Sequence, residues 1–273
     1  MNQFEFLPLI TIGQYFPTGS ILHQRDARAR LLFFSGFILA LTFSPSIYGL
    51  ATGLVFSILG ILISRVSLRY ALKGLLVPLP FLIFIALLQI LFFSTTLHTT
   101  IYFQWWIIHI TQAGLWAALL LMVRFVALIL ALSWMSFCLS TSEAITALSD
   151  LLSPLSKIGI HAMDFVMIFQ VAMRFLPLLA QSAERIAKAQ ASRGAEWGSG
   201  RGNLFAQVKR IVPLIVPLFL ISLRRSETMA LAMDARAYGL KNQRTSLYVL
   251  KFGWKDAVFL LLGIILIAAV ILV

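Results

Sequence analysis

Charge is scarce in this chain, and acidic charge scarcest of all. Only 12% of its 273 residues are Asp, Glu, Lys or Arg, and only ten are acids. A soluble domain carries about twice that share of charge, so an ordinary water-soluble globule is excluded. Residues 75–93 contain no ionisable side chain at all. Cysteine is reduced to Cys138, at the end of an apolar run. One cysteine cannot form an internal disulfide, and it has no Cys or His partner at ligand spacing, so no metal is expected. A Gly-x-x-x-x-Gly-Lys-Ser/Thr phosphate loop is missing, so the chain should not hydrolyse ATP itself. The opening MNQFEF has neither the basic cluster nor the small-residue cleavage site of a signal peptide.

What the chain has instead is apolar length. Hydrophobic residues make up 60% of it and the mean hydropathy is +0.93. Five runs stand out: 31–43, 47–64, about 75–94, 113–139 and 257–273. About 20 apolar residues cross a ~30 Å hydrocarbon core as a helix, and without period-2 alternation a barrel is not indicated. The first two runs are short for full spans, so tilt or incomplete spanning is expected of them. Arg124 interrupts the fourth run and is expected to snorkel, to pack against backbone carbonyls or to contact a partner.

Basic residues set the orientation. Arg25, Arg28 and Arg30 precede the first run, and Arg65, Arg69 and Lys73 follow the second. Both clusters are read as cytoplasmic, with the N-terminus inside, Ser44-Pro45-Ser46 outside and the 94–112 loop outside. The sequence thus predicts an all-α integral membrane protein with about five transmembrane helices, four within 1–139 and one over 256–273. The formal net charge of +12 fits this positive-inside pattern better than nucleic-acid binding, and no nucleic-acid partner is expected.

Residues 140–255 differ in kind. They hold 15 of the 22 basic residues and seven of the ten acids. Two apolar stretches within them, 158–180 and 211–223, are read as parts of long helices lying along the cytoplasmic membrane surface, with a hairpin of extra spans as the alternative.

The two helices share a pattern. The first reads Arg174-x-x-Pro177, then Glu184, Ala187, Ala189, Ser192, Arg193 and Gly194. The second reads Arg210-x-x-Pro213, then Glu227, Ala230, Ala232, Ala235, Arg236, Ala237, Tyr238 and Gly239. Glu184 to Arg193 and Glu227 to Arg236 are both nine residues, whereas proline to glutamate is seven in one and 14 in the other. Seven residues are two turns, about 10 Å, so unequal helix lengths with nearly the same facing are expected. Glycine suits the left-handed position past a helix C-terminus, and a cation there is favoured by the helix dipole. Two readings remain open: capped helices with a snorkelling arginine, or two prongs offering a forked guanidinium to an acidic pocket on a partner.

Three segments carry a family resemblance: GQYFPTGSILHQRDARARLL over 13–32, AQASRGAEWG over 189–198, and IVPLIVPLFLISLRRSETMALAMDARAYG over 211–239. Through them the chain resembles the transmembrane T component of energy-coupling factor transporters, ATP-driven importers of vitamins and transition-metal ions. The resemblance implies two ABC-type ATPase subunits and one or more substrate-binding S components as partners. It also implies a prokaryotic cell membrane as location and makes 140–255 a coupling-helix region. Arg193 and Arg236 would each enter a groove of one ATPase, within Ser192-Arg193-Gly194 and Ala235-Arg236-Ala237-Tyr238-Gly239, with Glu184 and Glu227 in support. Two departures from the Ala-Arg-Gly motif are small: Ser192 stands for Ala, and Ala237 for Gly.

No catalytic role and no cofactor are expected. His98 and His109 read as interfacial, and His161 with Asp164 lacks a third ligand nearby. A secondary transporter would need paired polar groups near the midplane, and Arg124 has no acidic partner in the runs. A component shared among several S components is favoured over a dedicated cobalt, nickel or biotin system.

Overall fold

A computed structural model describes residues 15–92, 101–105, 108–154, 162–194, 204–239 and 252–272. Gly13, His98, His161 and residues 195–198, singled out in the sequence, lie outside these. The chain divides into two compact units, Gly13–Ile158 with Leu250–Val273, and Gly159–Val249 with Met1–Ile12.

In the first unit the apolar runs close into helices with polar caps. Helix α1 (Ala27–Phe43) starts where the Asp26 carboxylate accepts the Arg28 backbone N–H at 2.8 Å. Helix α2 (Ile47–Ile63) starts where Ser46 Oγ accepts from Tyr48 N at 3.2 Å. These oxygens satisfy backbone donors that a helix start leaves unpaired.

The third run is not one helix. Helix α3 (Leu68–Leu76) and helix α4 (Leu79–Phe92) meet at a 57° bend. Pro78 sits in the break and has no N–H to continue the ladder. Beyond it, β1 (Ile101–Trp105) and β2 (Ile108–Thr111) form an antiparallel ribbon, with Gln104 opposite His109 and Trp105 opposite Ile108. This ribbon was not anticipated from the sequence. Helix α5 (Gln112–Cys138) follows, then helix α6 (Thr141–Leu152), with helix α9 (Trp254–Leu272) closing the unit. Apart from the ribbon, the regular structure of the described residues is helical.

Helix α5 is the post of this unit, with α1, α2, α3 and α4 packed on it, while α9 packs against α1 and α2. Trp134 on α5 forms the core contact. Its ring meets Phe34 edge-on at 4.9 Å and Phe33 at 5.6 Å between centroids. Its Nε1–H donates to Ser64 Oγ at 3.0 Å, and that hydroxyl donates to the Gly60 carbonyl at 2.7 Å. Gly60 has no side chain because a Cβ there would overlap the Trp134 ring.

Two polar ties hold the helix ends. At one, the buried Arg30 donates to the Cys138 carbonyl and, at 3.1 Å, to Glu143 Oε1. Glu143 also completes a capping box with Ser140 at the start of α6. Burial pushes the Glu143 carboxyl up, but the Arg30 charge and hydrogen bond together with Ser140 outweigh it and hold its pKa below the ordinary value. Around this tie, His23 Nε2 donates to the Phe137 carbonyl at 3.2 Å, Thr18 Oγ1 donates to the Ser64 carbonyl at 2.6 Å, and the Asp26 N–H donates to Asp256 Oδ1 at 3.0 Å. The segment that opens the family resemblance is therefore what ties α1, α2, α5 and α9 together. At the other end, Arg124 Nη2 donates to the Ser44 carbonyl at 2.7 Å, and Ser44 Oγ donates to the Val270 carbonyl at 3.1 Å. Of the three roles expected for Arg124, packing against a backbone carbonyl is the one observed.

The second unit contains helix α7 (Ala162–Ser192) and helix α8 (Leu204–Ala235), packed on each other. They have 31 and 32 residues, so the expected inequality of length is corrected. The seven extra residues between proline and glutamate in α8 are offset by a later start: 15 residues of α7 precede Pro177, against nine of α8 before Pro213. By length and apolarity, α5, α9 and the Asp164–Ser192 part of α7 could cross a membrane, and the bent α3–α4 pair could make a fourth span.

Candidate functional site: the C-terminal ends of α7 and α8

The last turns of α7 and α8 begin from small or short side chains, which keep each tip slender. Lys188 Nζ pairs with Glu184 Oε1 at 2.6 Å one turn apart, and the next turn continues the row as Ser192 Oγ donates to the Lys188 carbonyl at 3.0 Å. Ala187, on the face flanking this row, is fully buried. Glu227 has Leu231 one turn on, is exposed and forms no ion pair among the described residues. The two glutamates are therefore equivalent in spacing but not in partner.

The termini are built alike. At the end of α7 the Arg193 N–H donates to the Gln190 carbonyl at 3.1 Å, and the Gly194 N–H to the Ala191 carbonyl at 3.0 Å. Gly194 has φ +81°. At the end of α8 the Arg236 N–H donates to the Met233 carbonyl at 3.1 Å, the Ala237 N–H to the Asp234 carbonyl at 2.8 Å, and the Tyr238 N–H to the Met233 carbonyl at 3.0 Å. The last two bonds form a Schellman motif, which closes two carbonyls that a helix end would leave open.

Arg193 and Arg236 are thus both C-cap residues, each followed by a residue in the left-handed region. In α8 that residue is Ala237, with φ +57°, and Gly239 follows with φ +96°. The sequence pointed to the glycine; the residue that turns the chain is the alanine. A non-glycine residue pays about 1–2 kcal/mol for this conformation, so the position is one where glycine would sit without strain.

Ser192, Arg193, Gly194, Ala235, Arg236, Ala237, Tyr238 and Gly239 are all exposed. Each arginine adds a cation at the negative end of its helix dipole. Chemically the two ends are cationic forks on closed helix termini, suited to a bidentate carboxylate contact. Among the described residues no group of His, Cys, Asp and Glu has the arrangement to hold a metal ion.

Comparison with known proteins follows the same line. The model of the CbiQ family, described as cobalt transport protein, matches residues 18–247. The energy-coupling factor transporter transmembrane protein EcfT of Brevibacillus brevis is 36% identical over 261 residues, covering 96% of this chain and 97% of the relative. The proteins of the same name from Clostridium kluyveri and Acidaminococcus fermentans are 35% and 34% identical, each across 96% of this chain and at least 95% of the relative. With the match spanning both the helical membrane unit and the two capped helices, the chain belongs to the family of transmembrane T components of energy-coupling factor transporters.

Proposed function

We propose that this chain is the coupling subunit of an ATP-driven importer of vitamins or other micronutrients in the cell membrane of a prokaryote. Two ABC-type ATPases hydrolyse the ATP, one or more S components capture the substrate, and this chain joins them without catalysis of its own. Five segments cross the membrane, α1, α2, the bent α3–α4 pair, α5 and α9, with the N-terminus in the cytoplasm. Residues 140–255 form the coupling region, and Arg193 and Arg236 each enter one ATPase. Closure of the ATPase pair moves the two tips, and α7 and α8 carry that movement to the S component.

The observation that carries this reading is the matched cap geometry. Two helices of nearly equal length end in an exposed arginine followed by a left-handed residue, which is what one chain needs to engage two similar partners. Arg193→Glu and Arg236→Glu are each expected to reduce substrate uptake, and the double change to release the ATPases on affinity purification of the whole complex. A double variant that retains both assembly and ATP-driven uptake overturns the proposal.

The description of the matching family as cobalt transport protein supports a second reading, a dedicated cobalt or nickel permease subunit. Co-purification from native membranes separates the two: several different S components with this chain indicate a shared subunit, and a single one indicates a dedicated system. A stand-alone secondary transporter predicts uptake by the purified chain alone in liposomes, where the coupling-subunit reading predicts none.

A further inference from the structure

Helices α7 and α8 leave between them a cleft of about 450 Å³. Its walls include Val171, Phe175, Leu178 and Met229, with Arg174 contributed by one helix and Arg225 by the other. No acid lines it. Neither arginine forms an ion pair among the described residues. Arg225 Nη1 is buried and has no hydrogen-bond partner among the described residues. A buried guanidinium N–H left unpaired is costly, so two like charges brought to one apolar cleft call for an anion between them.

The shape of the cleft narrows the choice of anion. A free phosphate would fill a small part of this volume and leave the apolar walls wet. An anion carrying an apolar body fills both the charged and the uncharged lining. The cleft also lies where α8 changes character: the apolar stretch ends at Leu223, and Arg224 and Arg225 follow. On its apolar side, Val216, Phe219 and Leu220 of α8 are exposed. Basic pockets between apolar helices at such a boundary suit lipid head groups, and arginine forks match phosphate oxygens.

We propose that this cleft binds one anionic phospholipid, its phosphate held between Arg174 and Arg225 and the root of its acyl chains against Val171, Phe175, Leu178 and Met229. The two arginines that define the site lie 19 and 11 residues before Arg193 and Arg236, so they can be changed without touching either tip arginine.

The test is native mass spectrometry of the full chain in detergent, titrated with dioleoylphosphatidylglycerol or dioleoylphosphatidylcholine. The expected result is one tightly bound anionic lipid, preferred over the zwitterionic one by about tenfold or more, as charge-assisted pairing implies. Arg174→Gln with Arg225→Gln should abolish the preference while circular dichroism and elution volume stay unchanged. If that pair misfolds, Arg225→Lys, which keeps the charge and loses the fork, should weaken the preference without removing it. Equal binding of the two lipids, or a preference that survives the double glutamine change, overturns the proposal. Displacement of the lipid by inorganic phosphate at comparable concentration overturns it in favour of a soluble-anion site. Loss of a co-purifying subunit with lipid preference intact overturns it in favour of an acidic side chain on that subunit.

Discussion

Gly60→Ala and Gly74→Ala give opposite predictions from the same chemical change. Both glycines lie in helices, Gly60 in α2 and Gly74 in α3. Helix propensity alone makes each substitution favourable by about 0.5–1 kcal/mol. Packing separates them. At Gly74 the added methyl would stand 3.6 Å from Ser133 Oγ, an ordinary contact. At Gly60 it would overlap the Trp134 ring, and that ring has nowhere to go: it is 4% exposed, with Phe34 and Phe33 at 4.9 and 5.6 Å and its N–H held by Ser64. Overpacking costs about 1–3 kcal/mol, and displacing the ring sacrifices the Ser64 hydrogen bond, about 1 kcal/mol more. Set against the propensity gain, Gly60→Ala should destabilise by about 1–3 kcal/mol, a fall in midpoint of roughly 2–10 °C, while Gly74→Ala leaves the midpoint unchanged or raises it. Thermal unfolding in detergent, followed by tryptophan fluorescence, measures both. Trp134→Phe in the Gly60→Ala background should recover part of the loss. Equal shifts of the two alanine variants in the same direction would refute the packing argument.

The remaining predictions concern polar ties and caps. Ala237→Gly should stabilise the end of α8 by about 1 kcal/mol, and Gly194→Ala should cost the end of α7 a similar amount, read as slower and faster amide exchange in the last turn of each helix. Arg124→Leu leaves the Ser44 carbonyl without its donor and should destabilise by about 1–3 kcal/mol, with Arg124→Lys recovering part of it in the same unfolding assay. The depressed pKa of Glu143 means its contribution is present above the pKa of an unfolded glutamate, about 4.3, and is lost as pH falls through the lower folded value. Wild type should therefore lose stability relative to Glu143→Gln as pH falls from about 5 to below the folded pKa; parallel curves across that interval would show that the Arg30 tie contributes nothing.

Much of this architecture can be read from local sequence signals. The run at 113–139 corresponds to α5 at Gln112–Cys138, because a long apolar stretch between caps at Thr111 and Ser140 leaves few alternatives. The bend between α3 and α4 was legible in Pro78 and missed, since hydropathy averages over a proline that geometry cannot. The ribbon falls in a stretch rich in β-branched and aromatic residues, but its neighbours are all helix and the outer-loop reading absorbed it. The equivalent C-cap positions of Arg193 and Arg236 follow from the repeat. That Ala237 holds a left-handed conformation does not, because alanine carries no signal for it. The meeting of Gly60 with Trp134 depends on residues far apart in the chain, as does the placing of Arg174 and Arg225 along one cleft. No local pattern announces such a pair.

The closed ends of α7 and α8 bear on how these helices behave under load. An open helix end absorbs a push by unwinding, since its last carbonyls are free to trade partners with water. Here those carbonyls are taken by the turn that follows, so a displacement applied at the tip travels along the rod instead of being spent at it. Compliance then resides where the backbone ladder has gaps, at Pro177 in one helix and at Pro213 and Pro217 in the other. Each helix behaves as a stiff lever with a bending point set by its prolines, and α8, with two adjoining gaps and a longer stretch from them to its tip, is the softer of the two.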